Sequence, residues 1–227
     1  MDSKVVNRWI RQRIWPVLRD GGFTRFTPRT AWRYIPTRIE IVNFQSFNSY
    51  LAESVGATTY SFSVNLGSYL LEVPSSHGPE YPKTQDGQLI PQEYDCHLRT
   101  RLQRSFPQAA LDRRDIWFID AAGESLEPAF ADVAAQLSAA ALAWFETMRD
   151  GNTVHRILST GQETDALFGF GRDPSPHRAY VAGYFAMSRK DWPAAIERLT
   201  AALQSGSYSN LTDALTRDID LCHRAMA

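Results

Sequence analysis

Lysine is scarce in this chain. Lys4, Lys83 and Lys190 are the whole complement, and the other 21 of its 24 basic residues are arginine. Arginine presents a planar fork that meets carboxylates and phosphates through two parallel hydrogen bonds, whereas lysine is a point charge. The excess fits either an arginine-based recognition surface or a GC-rich coding bias. Cysteine is scarcer still. Cys96 and Cys222 stand far apart and fit a reducing compartment without disulfides. No segment approaches the ~18 apolar residues of a membrane span. The N-terminus carries charges throughout and has no apolar stretch of a signal peptide. These absences predict a cytoplasmic protein with no membrane association.

Catalytic signatures are also missing. Gly169-Phe170-Gly171-Arg172 lacks the rest of a phosphate-binding glycine fingerprint and the strand that should precede it. There is no Gly-x-Ser-x-Gly elbow and no His-Glu-x-x-His helix. The histidines at 77, 97, 155, 177 and 223 are scattered, so no metal site and no cofactor is expected. Cys96 and His97 cannot act as a nucleophile and its base, because neighbours on a strand point to opposite faces. Cys96 is expected to follow Leu98 into the core as an inert thiol. Glu93 and Asp95, with His97, are the groups nearest to an acid–base set, and they carry the reading of an unrecognised hydrolase.

What is present is a core. Apolar residues make up 44% of the 227, and the net charge is −1. That balance opposes a uniformly basic nucleic-acid binder. The charge is uneven, however. Residues 1–50 hold nine Lys or Arg against three acids, a local charge of +6, which leaves −7 for the remainder.

Residues 3–19 read as an amphipathic helix. Val5, Val6, Trp9, Ile10, Ile14, Val17 and Leu18 form its apolar stripe, and Lys4, Arg8, Arg11 and Arg19 share the opposite face. Arg13 falls inside the stripe and Trp15 on the basic face, and Pro16 should kink the helix and reset its register. Gly21-Gly22 supplies the stop. The basic face is either a solvated surface or a polyanion site.

A β region follows. Thr30–Ile35 and Arg38–Phe47 read as a hairpin about Pro36-Thr37. Thr59–Leu71 alternates with period two, which places Tyr60, Phe62, Val64 and Leu66 on one face and Ser61, Ser63 and Asn65 on the other. Asp95–Gln103 does the same, with His97, Arg99 and Arg101 on its polar side, and Arg114–Asp120 is a candidate fifth strand. Antiparallel order is expected, since no crossover of helical length separates the first three strands. Residues 72–94 hold four prolines and two glycines and read as a long irregular connection. After Gly123 the pattern turns helical, with Ser125 as a candidate cap and a spacing of three and four through Met148. Gly161–Pro176 reads as a second irregular stretch. His177–Ser188 and Trp192–Gln204 then read as a helical hairpin of tetratricopeptide-like character, and a final helix runs through Leu211–Met226. The prediction is an α+β fold: an antiparallel sheet of four to five strands packed by helices in residues 1–150, and a helical extension over 151–227.

The polar strand face is the candidate binding site. Gln45, Ser63, Asn65, His97, Arg99 and Arg101 have donors in excess, which suits an anionic or carboxylate-bearing partner. The alternatives are a solvated sheet face or internal ion pairs with Asp or Glu.

Several short motifs, in order, carry a resemblance: Gly22-Phe23 after the first helix, Asn43-Phe44-Gln45, Asn65-Leu66-Gly67, the Cys-x-Leu-Arg-x-Arg-Leu run from Cys96 to Leu102, and Asp115-Ile116-Trp117. Over roughly residues 1–150 the chain resembles a bacterial family known only as a domain of unknown function. Some of its members resemble immunity proteins to toxins and other accessory proteins of conflict systems. The resemblance implies no activity. It favours a non-catalytic protein-binding module whose partner is a toxin or effector encoded nearby. A nucleic-acid or nucleotide binder, using the basic helix and the Arg99/Arg101 strand, is the alternative.

Overall fold

The computed structural model describes residues 3–78, 81–108, 111–159 and 175–227. Residues 161–174 of the second irregular stretch, including Gly169–Arg172, lie outside them.

The first helical segment comprises α1 (Ser3–Trp9), a π-helical turn (Ile10–Ile14) and α2 (Trp15–Asp20). Pro16 has no N–H for the carbonyl four residues back, and its ring would crowd it. The chain widens just before the proline, and Trp15 N–H bonds Ile10 O instead. The extra residue per turn resets the register. Trp15 turns inward and is buried, while Arg13 leaves the stripe and pairs with Glu127 at 3.1 Å. A Schellman motif ends the segment: Phe23 N–H bonds Leu18 O, Gly22 N–H bonds Arg19 O, and Gly22 takes φ +85°.

The main sheet is wholly antiparallel, in the order β1 (Arg25–Phe26), β2 (Thr30–Ile35), β3 (Arg38–Ser46), β4 (Phe62–Leu70), β7 (Leu98–Arg101). A short helix, α3 (Ser49–Ser54), lies between β3 and β4, and two very short strands, β5 (Thr84–Gln85) and β6 (Gln88–Leu89), form a separate hairpin. The fifth strand of the sheet is therefore β1, not Arg114–Asp120. That segment makes one bridge, Trp117 to Phe62. Several of its other backbone groups meet side chains: Ile116 O accepts from Arg104 Nε, Phe118 N–H donates to Gln108 Oε1, and Ile119 N–H donates to Ser61 Oγ. A ladder is unnecessary where side chains satisfy the backbone.

The two faces of the sheet are covered differently. Val42, Phe44, Phe62, Val64 and Leu66 point to the first face and join Val6, Ile10, Ile14, Trp15 and Leu18 in the main core. The core is completed by α4 (Leu126–Gln136), a π-helical turn (Leu137–Ala141) and α5 (Leu142–Arg149). Ser125 precedes α4 without capping it, and Asp120 closes the turn before the helix, its oxygens accepting from the backbone N–H groups of Gly123, Glu124 and Ser125. The same face buries a charged cluster. Glu40 is fully enclosed, receives Arg33 Nε at 2.5 Å, and receives Arg149 at 2.8 and 3.0 Å. Leu70, Val73 and Leu98 extend this face into a second cluster with α6 (Gly151–Ser159), α7 (Pro176–Ser188), α8 (Trp192–Gln204) and α9 (Thr212–Met226). Helices α7 and α8 form the expected hairpin. Gly183 lets them approach, since a Cβ there would lie 2.6 Å from Leu199 Cδ2.

Over the second face the 72–94 connection folds back. At one end Trp32, Ile39, Ile41, Tyr69 and Cys96 form a small apolar cluster. Trp32 Nε1 donates to Pro91 O at 2.8 Å, and the Tyr34 hydroxyl donates to Leu89 O at 3.0 Å. Cys96 is buried as expected, but on this face, opposite Leu98, because a 3-10 turn (Glu93–Asp95) precedes it and breaks the alternation. Its sulfur sits over Gly67, where a Cβ would meet it at 2.5 Å.

Candidate functional site

At the other end of this second face the sheet stays polar. Asn43, Asn65 and Arg101 lie across from one another on β3, β4 and β7, with Gln45 opposite Ser63 beside them. Together with the 3-10 turn and the residue before β2, they wall an open cleft of about 580 Å³, lined by Arg29, Asn43, Gln45, Asn65, Arg99 and Arg101 among others. Glu93 and Tyr94 close one side, and the Tyr94 ring is 67% exposed at the rim.

The hydrogen bonds decide what the cleft can offer. Asn65 Nδ2 donates to Gln45 Oε1 at 2.9 Å, and Arg101 Nε donates to Asn65 Oδ1 at 2.9 Å. Arg101 Nη1 donates to Asp115 Oδ2 at 3.1 Å, and Arg113 grips the same carboxylate with two further bonds. Burial works against ionisation of Asp115, but the hydrogen bonds and charges of Arg113 and Arg101 outweigh it and hold the carboxyl below its ordinary value. Arg99 forks onto Glu93 at 2.7 and 3.2 Å. Both strand arginines thus meet acids of this chain, and their positive charge is locally offset.

Arg29 differs. It lines the same cleft, and among the described residues it has no counter-ion and its enclosed Nη1 has no hydrogen-bond partner. Burial lowers its affinity for the proton, with no opposing charge to restore it. Arg29 is held in place through its backbone, whose carbonyl accepts from Phe44 N–H at 2.8 Å. The cleft therefore presents one uncompensated guanidinium beside a row of side-chain amides.

Four of the six sequence-predicted residues meet here: Gln45, Asn65, Arg99 and Arg101. Ser63 shares their face but is buried, and its Oγ has no partner among the described residues. His97 lies elsewhere. It precedes β7, packs at a tilt against Tyr69 with ring centroids 4.6 Å apart, and is enclosed. Its Nδ1 accepts from Leu70 N–H at 2.9 Å, and it also bonds the Pro74 backbone. Burial drives its pKa down to about 3, so it is a neutral strap. Glu93, Asp95 and His97 do not converge. Glu93 holds Arg99, Asp95 Oδ2 accepts from Gln92 N–H at 2.7 Å, and His97 faces Leu70. Burial raises the Cys96 thiol well above its usual range. Among the described residues no group of three or more His, Cys, Asp or Glu is placed to hold a metal, and no helix is long and apolar enough to cross a membrane.

A family profile described as Domain of unknown function (DUF4304) matches residues 14–147. The chain belongs to this family. The matched range takes in the whole main sheet, the helix α4, most of α5, and every residue of the DUF4304 cleft named above. No curated protein and no solved structure matches the chain significantly.

Proposed function

We propose that this DUF4304 protein is a non-catalytic binding module, and that its polar cleft receives an acidic side chain of a protein partner. The observation that carries the reading is Arg29, a guanidinium in the cleft wall with no acid against it among the described residues. A partner's carboxylate supplies what it lacks, and charge-assisted pairing is the strongest single contact such a site can make. Asn43, Gln45 and Asn65 give the surroundings hydrogen-bonding capacity for a backbone or an amide. Tyr94 at the rim adds a large amphipathic ring, and Tyr and Arg are the residue types that dominate binding energy at interfaces.

Arg99 and Arg101 serve here as the frame. By gripping Glu93 and Asp115 they fix the turn and the cleft wall. The resemblance to immunity proteins makes a toxin or effector encoded beside the gene the partner of choice, in a bacterial conflict system and in the cytoplasm.

The test mixes purified protein with those neighbouring gene products. Wild type should form a stable complex, while Arg29→Met and Tyr94→Ala should each weaken it by about 2 kcal/mol or more, roughly 30-fold. Absence of any complex, or full affinity in Arg29→Met, would sink the reading.

A further inference from the structure

We infer that a second groove, beside the N-terminal helical segment, binds single-stranded nucleic acid. Its volume is about 520 Å³, and it is lined on one side by Lys4, Arg8, Arg11 and Arg19 and on the other by Phe26 and the turn after it, with Trp15 at its floor. The site is independent of the polar cleft. The turn between β1 and β2 separates them, with Thr27 and Pro28 on the groove and Arg29 on the cleft.

The arrangement follows from the helix. Residues 4, 8, 11, 15 and 19 recur at three- and four-residue spacing along one face, a row of about 22 Å at 1.5 Å per residue. The π-helical turn rotates Trp15 inward, where it packs against Phe26 at 5.2 Å and Phe44 at 5.8 Å. The row of cations therefore borders a recess with aromatic walls instead of a flat surface. All four cations are exposed, and Arg8 and Arg11 have no counter-ion among the described residues. The Arg19 guanidinium lies over the Phe26 ring at 4.8 Å.

Concavity selects the occupant. A recess of this size takes a drug-sized molecule, so a base or nucleotide fits where the rod of a duplex does not. Arginines reach phosphates with paired hydrogen bonds, and the half-buried Phe26, with the Arg19 guanidinium over its ring, is the aromatic group of the wall that a base can meet, since Trp15 is enclosed. An anionic bilayer is a poorer fit. Membrane-surface helices insert projecting apolar side chains, whereas Trp15 is 3% exposed. The exposed large apolar residues, among them Tyr50, Tyr94 and Met226, lie outside the groove.

Fluorescence anisotropy with a labelled 12-nucleotide oligothymidylate tests the inference on the full chain. If four cations meet phosphates, affinity should fall about 50-fold between 50 and 200 mM salt. The exposed double variant Arg8→Gln/Arg11→Gln should bind more weakly at 50 mM and lose only about 7-fold over the same range. Arg29→Met should leave this binding unchanged, which separates the groove from the cleft. Duplex DNA of equal length should bind more weakly. No binding at 50 mM salt, a double variant indistinguishable from wild type, or equal affinity for polyglutamate or for phosphatidylserine vesicles would overturn it.

Discussion

Replacing Arg29 by methionine should separate function from stability. The Nη1 of Arg29 is enclosed without a partner, and no acid among the described residues offsets its charge. An unsatisfied enclosed donor costs about 1–3 kcal/mol, more when charged. Methionine keeps an unbranched stem of similar reach and removes the one enclosed, unsatisfied nitrogen, Nη1. Arg29→Met should therefore be neutral or stabilising by about 1 kcal/mol, a rise of roughly 2–4 °C in melting temperature for a chain of this size. The contrast is Arg99→Met, which strands the buried Glu93 carboxylate. A buried pair broken from one side costs about 3–5 kcal/mol, and partial exposure of Arg99 reduces this to about 1–2. Differential scanning fluorimetry and urea titration read both variants. A loss above about 1 kcal/mol in Arg29→Met would show that the guanidinium is structural, and the argument that it waits for a partner would fail.

Glu40→Ala leaves Arg33 and Arg149 without their shared carboxylate inside the core, so denaturant unfolding should show a loss of about 3–5 kcal/mol; a loss below 1 would mean that water reaches the cluster. His97 stays neutral in the folded protein down to about pH 3, while the unfolded chain protonates it below 6.5. Stability from this group is complete above pH 6.5 and declines as pH falls, by up to about 3 kcal/mol at pH 4. His97→Gln should flatten that decline in part, since His177, lowered to about 4, carries the same sign; an unchanged slope would contradict the assignment. Cutting the chain after residue 150 uncovers Leu70, Val73 and Leu98, so the 1–150 fragment should melt well below the full protein or aggregate, and a fragment with the same melting temperature would refute that packing role.

Periodicity carried much of the fold. The alternation in Phe62–Leu70 placed Phe62, Val64 and Leu66 in the core, and the three-and-four spacing located the helices on either side of Asp150. The clash of Arg13 and Trp15 with the helical pattern was itself a readable signal of the π-helical turn before Pro16. What covers a polar strand face has no such signature. The amides at 43, 45 and 65 revealed a face unlike a core, but not that Glu93 and Asp115 would meet its arginines. Those pairs depend on a 3-10 turn and on a chain return that no local period encodes. Arg29 was counted only as charge, because a residue at a strand entrance has no repeat to assign it a side. Ile116-Trp117-Phe118-Ile119 has strand composition, yet composition could not show that Arg104, Gln108 and Ser61 would take its backbone bonds.

The most direct measurement follows the arginine Nε–H resonances by NMR while N-acetylglutamate amide, a glutamate side chain on a capped backbone, is added. The Arg29 signal should shift and saturate, while those of Arg99 and Arg101, held by Glu93 and Asp115, stay in place. An unmoved Arg29 in folded protein, or a response confined to Arg99 and Arg101, would contradict the account.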